Sequence, residues 1–203
     1  RRFALQAPRT RVYLNEWVHH KILQHFGLIG LQYNFVELTI NGDTRPIYQI
    51  EENFDRILLE RNKRQVGPIF RLHHARFRIG GEGLSSQFTG AAIIPYQRNR
   101  LIADKELLRQ FVHAQNLFEG FRSGELKASE VFDVPRMSMV FAIGDLFGNQ
   151  HGISVKNLKF YFNPFTERIE PVAYDLSDLD PLKIRRRLVG FGARITSRPE
   201  ETN

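Results

Sequence analysis

The stretch "NLKFYFNPFTERIEPVAYD" (157–175) predicts a β-hairpin with a polar residue at each end. Asn163 and Pro164 are turn-forming residues, and the runs on either side of them are rich in aromatic and β-branched side chains. Symmetric pairing about the turn would set Asn157 opposite Asp175, with Cβ atoms roughly 5 Å apart. An amide oxygen and a carboxylate at that separation are hard ligands that suit Mg²⁺. The alternative is that the two residues only delimit the strands.

The composition is that of a folded protein with a basic surface. The chain has 203 residues, 42% of them hydrophobic, with 17 Phe and no Cys, so a sizeable core is expected without disulfides or thiolate metal sites. No apolar run approaches the roughly 20 residues of a membrane span. Residues 1–11 lack the apolar core of a signal peptide, although a targeting segment upstream of Arg1 is left open.

The net charge of +7 favours an anionic partner such as a phosphorylated ligand, an acidic surface or a nucleic acid. Basic residues cluster at 1–11, 61–78 and 183–187, whereas most aromatic residues follow strand and helix periods. A platform for single-stranded nucleic acid needs aromatic residues interleaved with the cations. The nucleic-acid interpretation therefore depends on charge alone, and most of these cations are expected to be solvated.

Periodicity predicts an α+β order in the first part of the chain. Leu14, Val18, Ile22 and Phe26 follow one another at steps of four, which indicates an amphipathic helix over 10–26 that stops at Gly27. Two strands then flank Asn41-Gly42, a strong hairpin signal. A connector at 51–53 leads into a short helix over 54–63.

The second part is predicted to be mainly helical before the late hairpin. Apolar periodicity indicates a helix over 104–119, and another that begins at Asp133 and ends near Gly148. The loop 80–86 contains three glycines that could cradle a phosphate, but it matches no complete phosphate-binding motif, so a mobile loop is favoured. A sheet-plus-helix lobe followed by a mostly helical lobe is an α+β fold rather than a doubly wound parallel sheet.

Three segments carry a resemblance to a known family: "FALQAPRTRVYLNEWVHHKILQHFGLI" (3–29), "VELTINGDTRPIYQIEENFD" (36–55) and "GNQHGISVKNLKFYFNPFTERIEPVAYD" (148–175). They resemble the spore-coat CotH-type, kinase-like proteins. The resemblance implies a protein-kinase-like bilobal fold with an N-lobe at 1–53, a hinge near 50–53, and a C-lobe at 54–203. The C-lobe would carry a catalytic-type loop at 148–157 and the hairpin 157–175.

The resemblance also implies a ligand and residue roles. ATP would lie in the cleft, with Mg²⁺ held by Asn157 and Asp175. Ile50, Glu51 and Glu52 would meet the adenine at the hinge. The alternative for Glu51 and Glu52 is solvation or an ion pair with Arg56.

Two departures from the family pattern concern the catalytic groups. The loop reads "GNQHGISVKN" (148–157) without the usual Asp, which leaves His151 as the candidate base, or as a histidine that only orders the turn. Asp145 would reach the site only if its helix ended early. Gln6 stands where a kinase strand supplies a Lys.

Other residues could compensate for the missing cation. Arg9 or Arg11 would approach the phosphates instead, unless both are ordinary surface charges, and Glu16 is the candidate charged partner on the helix. In the sequence "LSDLD" (176–180), Asp178 or Asp180 would join a second metal or cap a loop.

The expected function is an atypical kinase domain that uses ATP and Mg²⁺ to phosphorylate Ser or Thr of a protein partner. The alternative is a pseudokinase that serves as an interaction scaffold. Localisation is not readable from the composition, although the resemblance leans towards a secreted or cell-surface bacterial protein.

Overall fold

A computed structural model describes residues 2–73, 90–149, 151–154 and 157–176. These residues form a mixed α+β structure with two small antiparallel sheets and several helices, as the sequence predicts. The loop 80–86, Asp178, Asp180 and the basic run 183–187 lie outside the described residues. Within the described part, no helix combines the length and the apolar character that a membrane crossing requires.

The first sheet contains β1 (Phe3–Gln6), β2 (Tyr33–Ile40) and β3 (Asp43–Glu52), in the order β1-β3-β2. Asn41 and Gly42 connect β2 and β3 with φ values of 52° and 90°. Two successive positive φ values give the turn that matches the twist of a two-residue hairpin, which explains the Asn-Gly pair. Of the predicted connector 51–53, Glu51 and Glu52 belong to β3, so the connection to the next helix is shorter than predicted at this end.

A 3-10 turn (Pro8–Arg11) and helix α1 (Asn15–His25) follow β1. Gly27 has a φ of 68°, so the predicted stop signal is confirmed. The predicted apolar face is only partly confirmed: Val18 and Ile22 pack against the larger core, whereas Leu14 is 59% exposed and Phe26 is 53% exposed. The buried residues of α1 are Glu16, His19, His20 and Leu23. Hydrogen bonds to backbone N–H groups offset the cost of burying Glu16 and His20.

The second sheet contains β4 (Ile69–His73), β5 (Ala92–Pro95), β6 (Lys159–Asn163) and β7 (Arg168–Val172), in the order β5-β4-β6-β7. Its two faces contribute to two different cores. Phe70 and Phe160 belong to the larger core, and Ile69 and Tyr161 belong to the smaller one. A sheet covered on both faces explains why β6 is buried at all of its positions.

Within the described residues, five helices accompany this sheet: α2 (Arg56–Arg61), α3 (Arg98–Ala103), α4 (Lys105–Ser123), α5 (Ala128–Val131) and α6 (Val134–Leu146). The side chains of Asp55, Asp104 and Asp133 accept backbone N–H groups at the starts of α2, α4 and α6. These caps satisfy donors that a helix leaves unpaired. The three predicted helices of this part are confirmed.

The register of the late hairpin differs from the predicted one by one residue. Lys159 pairs with Val172 and Asn163 with Arg168, so extension of this register would set Asn157 opposite Tyr174. The prediction that Asn157 directly faces Asp175 is therefore wrong. The turn contains Glu167 in a left-handed conformation, with a φ of 52°, and its midpoint is half a residue earlier than predicted.

Candidate functional site

Asp175 lies just beyond β7 and contacts residues from two distant segments. Its carboxylate is ion-paired with Arg11 and lies 3.0 Å from Nε2 of His151. The side chain of Asp175 is 14% exposed, and that of His151 is 52% exposed. A carboxylate held between two nitrogen donors at the edge of solvent is an organised polar centre rather than a free strand end.

Arg11 joins the first sheet to this carboxylate. Its Nε donates to Oε1 of Gln6 over 2.8 Å, and Nη2 donates to the Tyr174 hydroxyl over 2.5 Å. Gln6 in turn donates from Nε2 to Oε2 of Glu51 over 3.0 Å, and Arg11 lies 3.7 Å from the same oxygen. Arg11 is thus the cation of a network that runs from β1 and β3 to the end of β7.

The backbone that follows Arg11 is strained. Val12 and Tyr13 are both left-handed, with φ values of 52° and 57°. A β-branched residue rarely adopts this conformation, and each such residue costs on the order of 1–3 kcal/mol. The polar contacts of Arg11 hold the turn in place, and strain of this kind is commonly found at functional sites.

Glu16 anchors α1 to the segment after β7. Its Oε1 accepts the backbone N–H of Asp175 over 3.2 Å, and its Oε2 accepts that of Leu176 over 2.6 Å. Burial raises the pKa of Glu16, but the hydrogen bond from His20 and nearby positive charge bring the pKa below its usual value. Glu16 is therefore a buried, ionised carboxylate, and its two oxygens hold the backbone of Asp175 and Leu176 in position.

Asn149, Gly152 and Asn157 fix the loop that carries His151. Oδ1 of Asn149 accepts the Gly152 N–H over 2.8 Å, and Nδ2 of Asn157 donates to the His151 carbonyl over 3.0 Å. A Cβ on Gly152 would lie 2.8 Å from the Tyr174 carbonyl oxygen, so only glycine fits there. Asn157 and Asp175 are thus connected through His151: Asn157 contacts its backbone carbonyl, and Asp175 contacts its imidazole.

Three predicted nucleotide-binding residues lie away from this network. Arg9 is exposed, and Ile50 alternates with Glu51 on β3 and so faces the other side of the sheet. Glu52 pairs with Arg61 and accepts the Gln32 N–H. The proposed ion pair of Glu51 or Glu52 with Arg56 is wrong, since Arg56 bonds Glu60 over 2.6 Å.

Glu16, His19 and His20 form the one cluster of potential metal ligands among the described residues. Nδ1 of His20 accepts the Leu31 N–H over 3.2 Å, so its Nε2 carries the proton and faces Oε1 of Glu16 at 2.9 Å. A metal-binding histidine does the reverse: it offers one nitrogen to the ion and donates from the other. His20 therefore offers no unprotonated nitrogen to a metal ion in this arrangement.

The predicted metal ligands, Asp175 and Asn157, carry oxygen atoms of the type that a hard cation accepts. Carboxylate and amide oxygens are ligands that Mg²⁺ accepts, and the amide nitrogen of Asn157 is the atom that holds His151. Arg11 already provides a positive charge at Oδ1 of Asp175. A metal ion at that oxygen would have to exchange with the guanidinium.

Sequence reasoning missed a group of aromatic and basic residues beside Arg11. The Tyr174 ring has Cζ of Arg11 at 4.9 Å and Nζ of Lys159 at 5.1 Å from its centroid. Phe54 lies 5.3 Å from Tyr174, centroid to centroid. Burial and the charges of Arg71 and Arg11 lower the pKa of Lys159 to about 8. The lone cation in the apolar run "LKFYF" (158–162) was the available signal.

No protein-family model and no curated protein matches this chain.

Proposed function

We propose that this chain is an atypical, CotH-type phosphotransferase domain with a kinase-like bilobal arrangement. It binds ATP with Mg²⁺ and phosphorylates Ser or Thr of a protein partner. The observation that carries the proposal is the polar network of Gln6, Arg11, Glu51, His151 and Asp175. These residues come from separate segments of the chain. Their polar contacts add little to a hydrophobic core, so the gathering of these side chains supports a functional role.

His151 is the proposed base. If its Nε2–H donates to Oδ2 of Asp175 at 3.0 Å, Nδ1 keeps the lone pair that accepts a proton. The acceptor hydroxyl oxygen forms a bond to the terminal phosphorus of ATP as the bond to the bridging oxygen breaks. The hydroxyl proton passes to Nδ1, and ADP leaves. Asp175 keeps the imidazole oriented and stabilises its positive charge, as a carboxylate does in other histidine dyads.

The remaining residues bind rather than react. Asn157 and Asp175 would hold Mg²⁺, which offsets charge on the transferred phosphate when it is bound. Gln6 is neutral, so Arg11 would supply the positive charge at this place. Its guanidinium would turn from Asp175 to a phosphate oxygen. Glu51 and Gln6 set the position of Arg11 through the hydrogen bonds that join them.

The test compares Asp175→Asn with Asp43→Asn, a matched loss of one carboxylate at the exposed first residue of β3. We expect wild type and D43N to bind ATP in the presence of Mg²⁺ and to transfer labelled phosphate to a Ser/Thr protein acceptor, whereas D175N loses both. Calorimetry measures binding, and label incorporation measures transfer. Absence of ATP binding by the wild type at millimolar ligand would end the proposal.

A second candidate function is an interaction scaffold of the pseudokinase type. The ion pair between Arg11 and Asp175 favours it, because the carboxylate is already neutralised without a metal. Gln6 also lacks the charge that a catalytic lysine would supply. This candidate predicts a protein that binds a partner, with or without nucleotide, and shows no phosphate transfer.

A further inference from the structure

β2 (Tyr33–Ile40) is an open edge of the first sheet. Within the described residues it pairs with β3 on one side, and no other strand pairs with it on the other side. An unpaired edge presents a row of free N–H and C=O groups that can pair with another extended chain. β2 is also eight residues long, above the usual strand length of about 5–6 residues. It therefore offers a long extended backbone for pairing.

The other edge strands carry features that hinder such pairing. β1 has only four residues, and β5 and β7, at the edges of the second sheet, contain Pro95 and Pro171. Short length and proline are common means by which proteins protect an edge. β2 contains no proline, and Glu37 is its one charged residue. Among the edge strands that the structure describes, β2 is thus the least protected.

Val36, Leu38 and Ile40 form an apolar stripe on one face of β2. Val36 and Leu38 are half-buried, and Ile40 is 49% exposed. The pairing with β3 is irregular between Val36 and Leu38, where two steps along β2 correspond to three along β3. The additional residue belongs to β3, so the alternation of side chains along β2 is undisturbed.

We propose that two copies of this chain pair through their β2 edges, in antiparallel orientation, to form a continuous six-stranded sheet. In a two-fold symmetric dimer, each contact between two residues occurs a second time with the copies exchanged. Directly opposed side chains point to the same face, so residues with even numbers oppose only residues with even numbers. With Leu38 at the two-fold axis, Val36 of one copy lies opposite Ile40 of the other, and the two apolar stripes meet.

This register suits the side chains better than its neighbours do. It sets Glu37 opposite Thr39 of the second copy, on the other face of the sheet. A two-fold axis at Glu37 would instead oppose two like charges, which is destabilising. An axis at Val36 would set Leu38 opposite Asn34 and so mix apolar with polar residues. The self-complementary pattern of β2 identifies a second copy of this chain as the partner.

The contact uses none of the residues of the polar network at Asp175. The inference therefore goes beyond the proposed phosphotransferase activity, and the dimer would persist in a protein that transfers no phosphate.

The test changes the sign of a charge at Thr39, which is exposed and pairs with the neutral Thr44 of its own sheet. Thr39→Lys would bring a positive charge opposite Glu37 of the second copy, and Thr39→Glu would bring a like charge there. Because this contact occurs twice in each dimer, we expect T39K to dimerise at least about fivefold more tightly than T39E. The chain carries a net charge of +7, so general repulsion between copies would give the opposite order.

Thr44→Lys and Thr44→Glu are the controls, since Thr44 is also exposed but lies on β3, one strand away from the open edge. Their dimerisation constants should agree within about twofold, because solvent and salt screen a charge at that distance. Sedimentation equilibrium measures all five proteins, wild type included. The proposal is overturned if the wild type is monomeric at about 1 mM, or if T39K dimerises no more tightly than T39E.

Hydrogen exchange locates the contact independently. Along a strand, successive residues direct their N–H groups to opposite sides, so alternate amides of 36–40 lack a strand partner in the monomer. We expect these amides to exchange more slowly as the protein concentration rises, while the amides of β1 keep their rates. Protection that increases with concentration on β1 and not within 36–40 would assign the dimer to another edge and overturn the proposal.

Discussion

The guanidinium of Arg11 is ion-paired with the carboxylate of Asp175, which connects the turn after β1 to the end of β7. Both side chains are largely buried, at 10% and 14% exposure. A buried pair gives little net stability, but removal of one partner leaves an uncompensated charge. The stability of the fold around Asp175 therefore depends on a cation that neutralises its carboxylate.

Replacement of Arg11 by Gln should make stability depend on a divalent cation. Loss of the guanidinium leaves Asp175 and Glu51 without their shared partner, and we expect a loss of about 3–5 kcal/mol in the free energy of unfolding. Mg²⁺ at millimolar concentration should recover part of the lost stability, because it can bind Oδ1 of Asp175, the atom that Arg11 contacts in the wild type. Chemical denaturation with Mg²⁺ and with a chelator measures the difference.

Arg9→Gln is the matched control, since Arg9 lies on the same 3-10 turn and is exposed. It should change stability by less than about 0.5 kcal/mol and show no response to Mg²⁺. A loss in R11Q that Mg²⁺ leaves untouched would assign Arg11 a purely structural role.

Replacement of His151 by Ala should abolish phosphate transfer while nucleotide affinity changes less than about twofold. The imidazole contacts Asp175 with one nitrogen and is half exposed, so its removal should cost little stability. Loss of general base catalysis typically lowers the rate by 10²–10⁴-fold. Single-turnover transfer assays and calorimetry on the same preparation separate the two quantities. His73→Ala, at an exposed position of β4, provides the control. Full transfer activity in H151A would exclude His151 as the base.

Replacement of Glu16 by Gln should loosen the segment that carries Asp175. The carboxylate accepts the N–H groups of Asp175 and Leu176, and an amide can supply only one oxygen. We expect a loss of about 1–3 kcal/mol in stability and faster hydrogen exchange at these two amides. Glu37→Gln, on β2, should leave both exchange rates unchanged. Unaltered exchange in E16Q would show that the segment is held by other contacts.

Local chemistry in the sequence predicted much of the secondary structure. Asn41-Gly42, Asp133 and Gly27 mark their turn, cap and stop because each residue type satisfies a backbone requirement on its own. The register of the late hairpin was not predictable in the same way. The observed pairing is shifted by one residue, and it depends on a turn with Glu167 in a left-handed conformation, which no glycine or asparagine at that position signals.

The candidate site was predicted only in part, because its contacts are tertiary. Gln6, Glu51 and His151 were candidates from their positions, but the role of Arg11 as the cation that connects Gln6 and Glu51 to Asp175 follows from the fold. The buried face of α1 was misassigned in part for the same reason. Periodicity favours Leu14 and Phe26, whereas Glu16 is buried because backbone N–H groups of a distant segment meet it.

His19 should make the protein sensitive to acid. Its ring is 1% exposed, and Nδ1 has no hydrogen-bond partner among the described residues. Burial lowers the pKa of His19 to about 3 from an ordinary 6.5, so the unfolded chain binds a proton that the folded chain does not between these two values. Stability contributed by this group is therefore complete above pH 6.5 and falls as the pH drops towards 3, by at most about 1.4 kcal/mol per pH unit.

The variant His19→Gln removes the titrating ring, and His25→Gln removes an exposed histidine at the end of the same helix. We expect the free energy of unfolding of H19Q to fall less steeply than that of the wild type between pH 6.5 and 4, whereas H25Q follows the wild type. Urea titrations at fixed ionic strength measure these slopes. Parallel slopes for all three proteins would mean that His19 takes up its proton in the folded state as readily as in the unfolded chain.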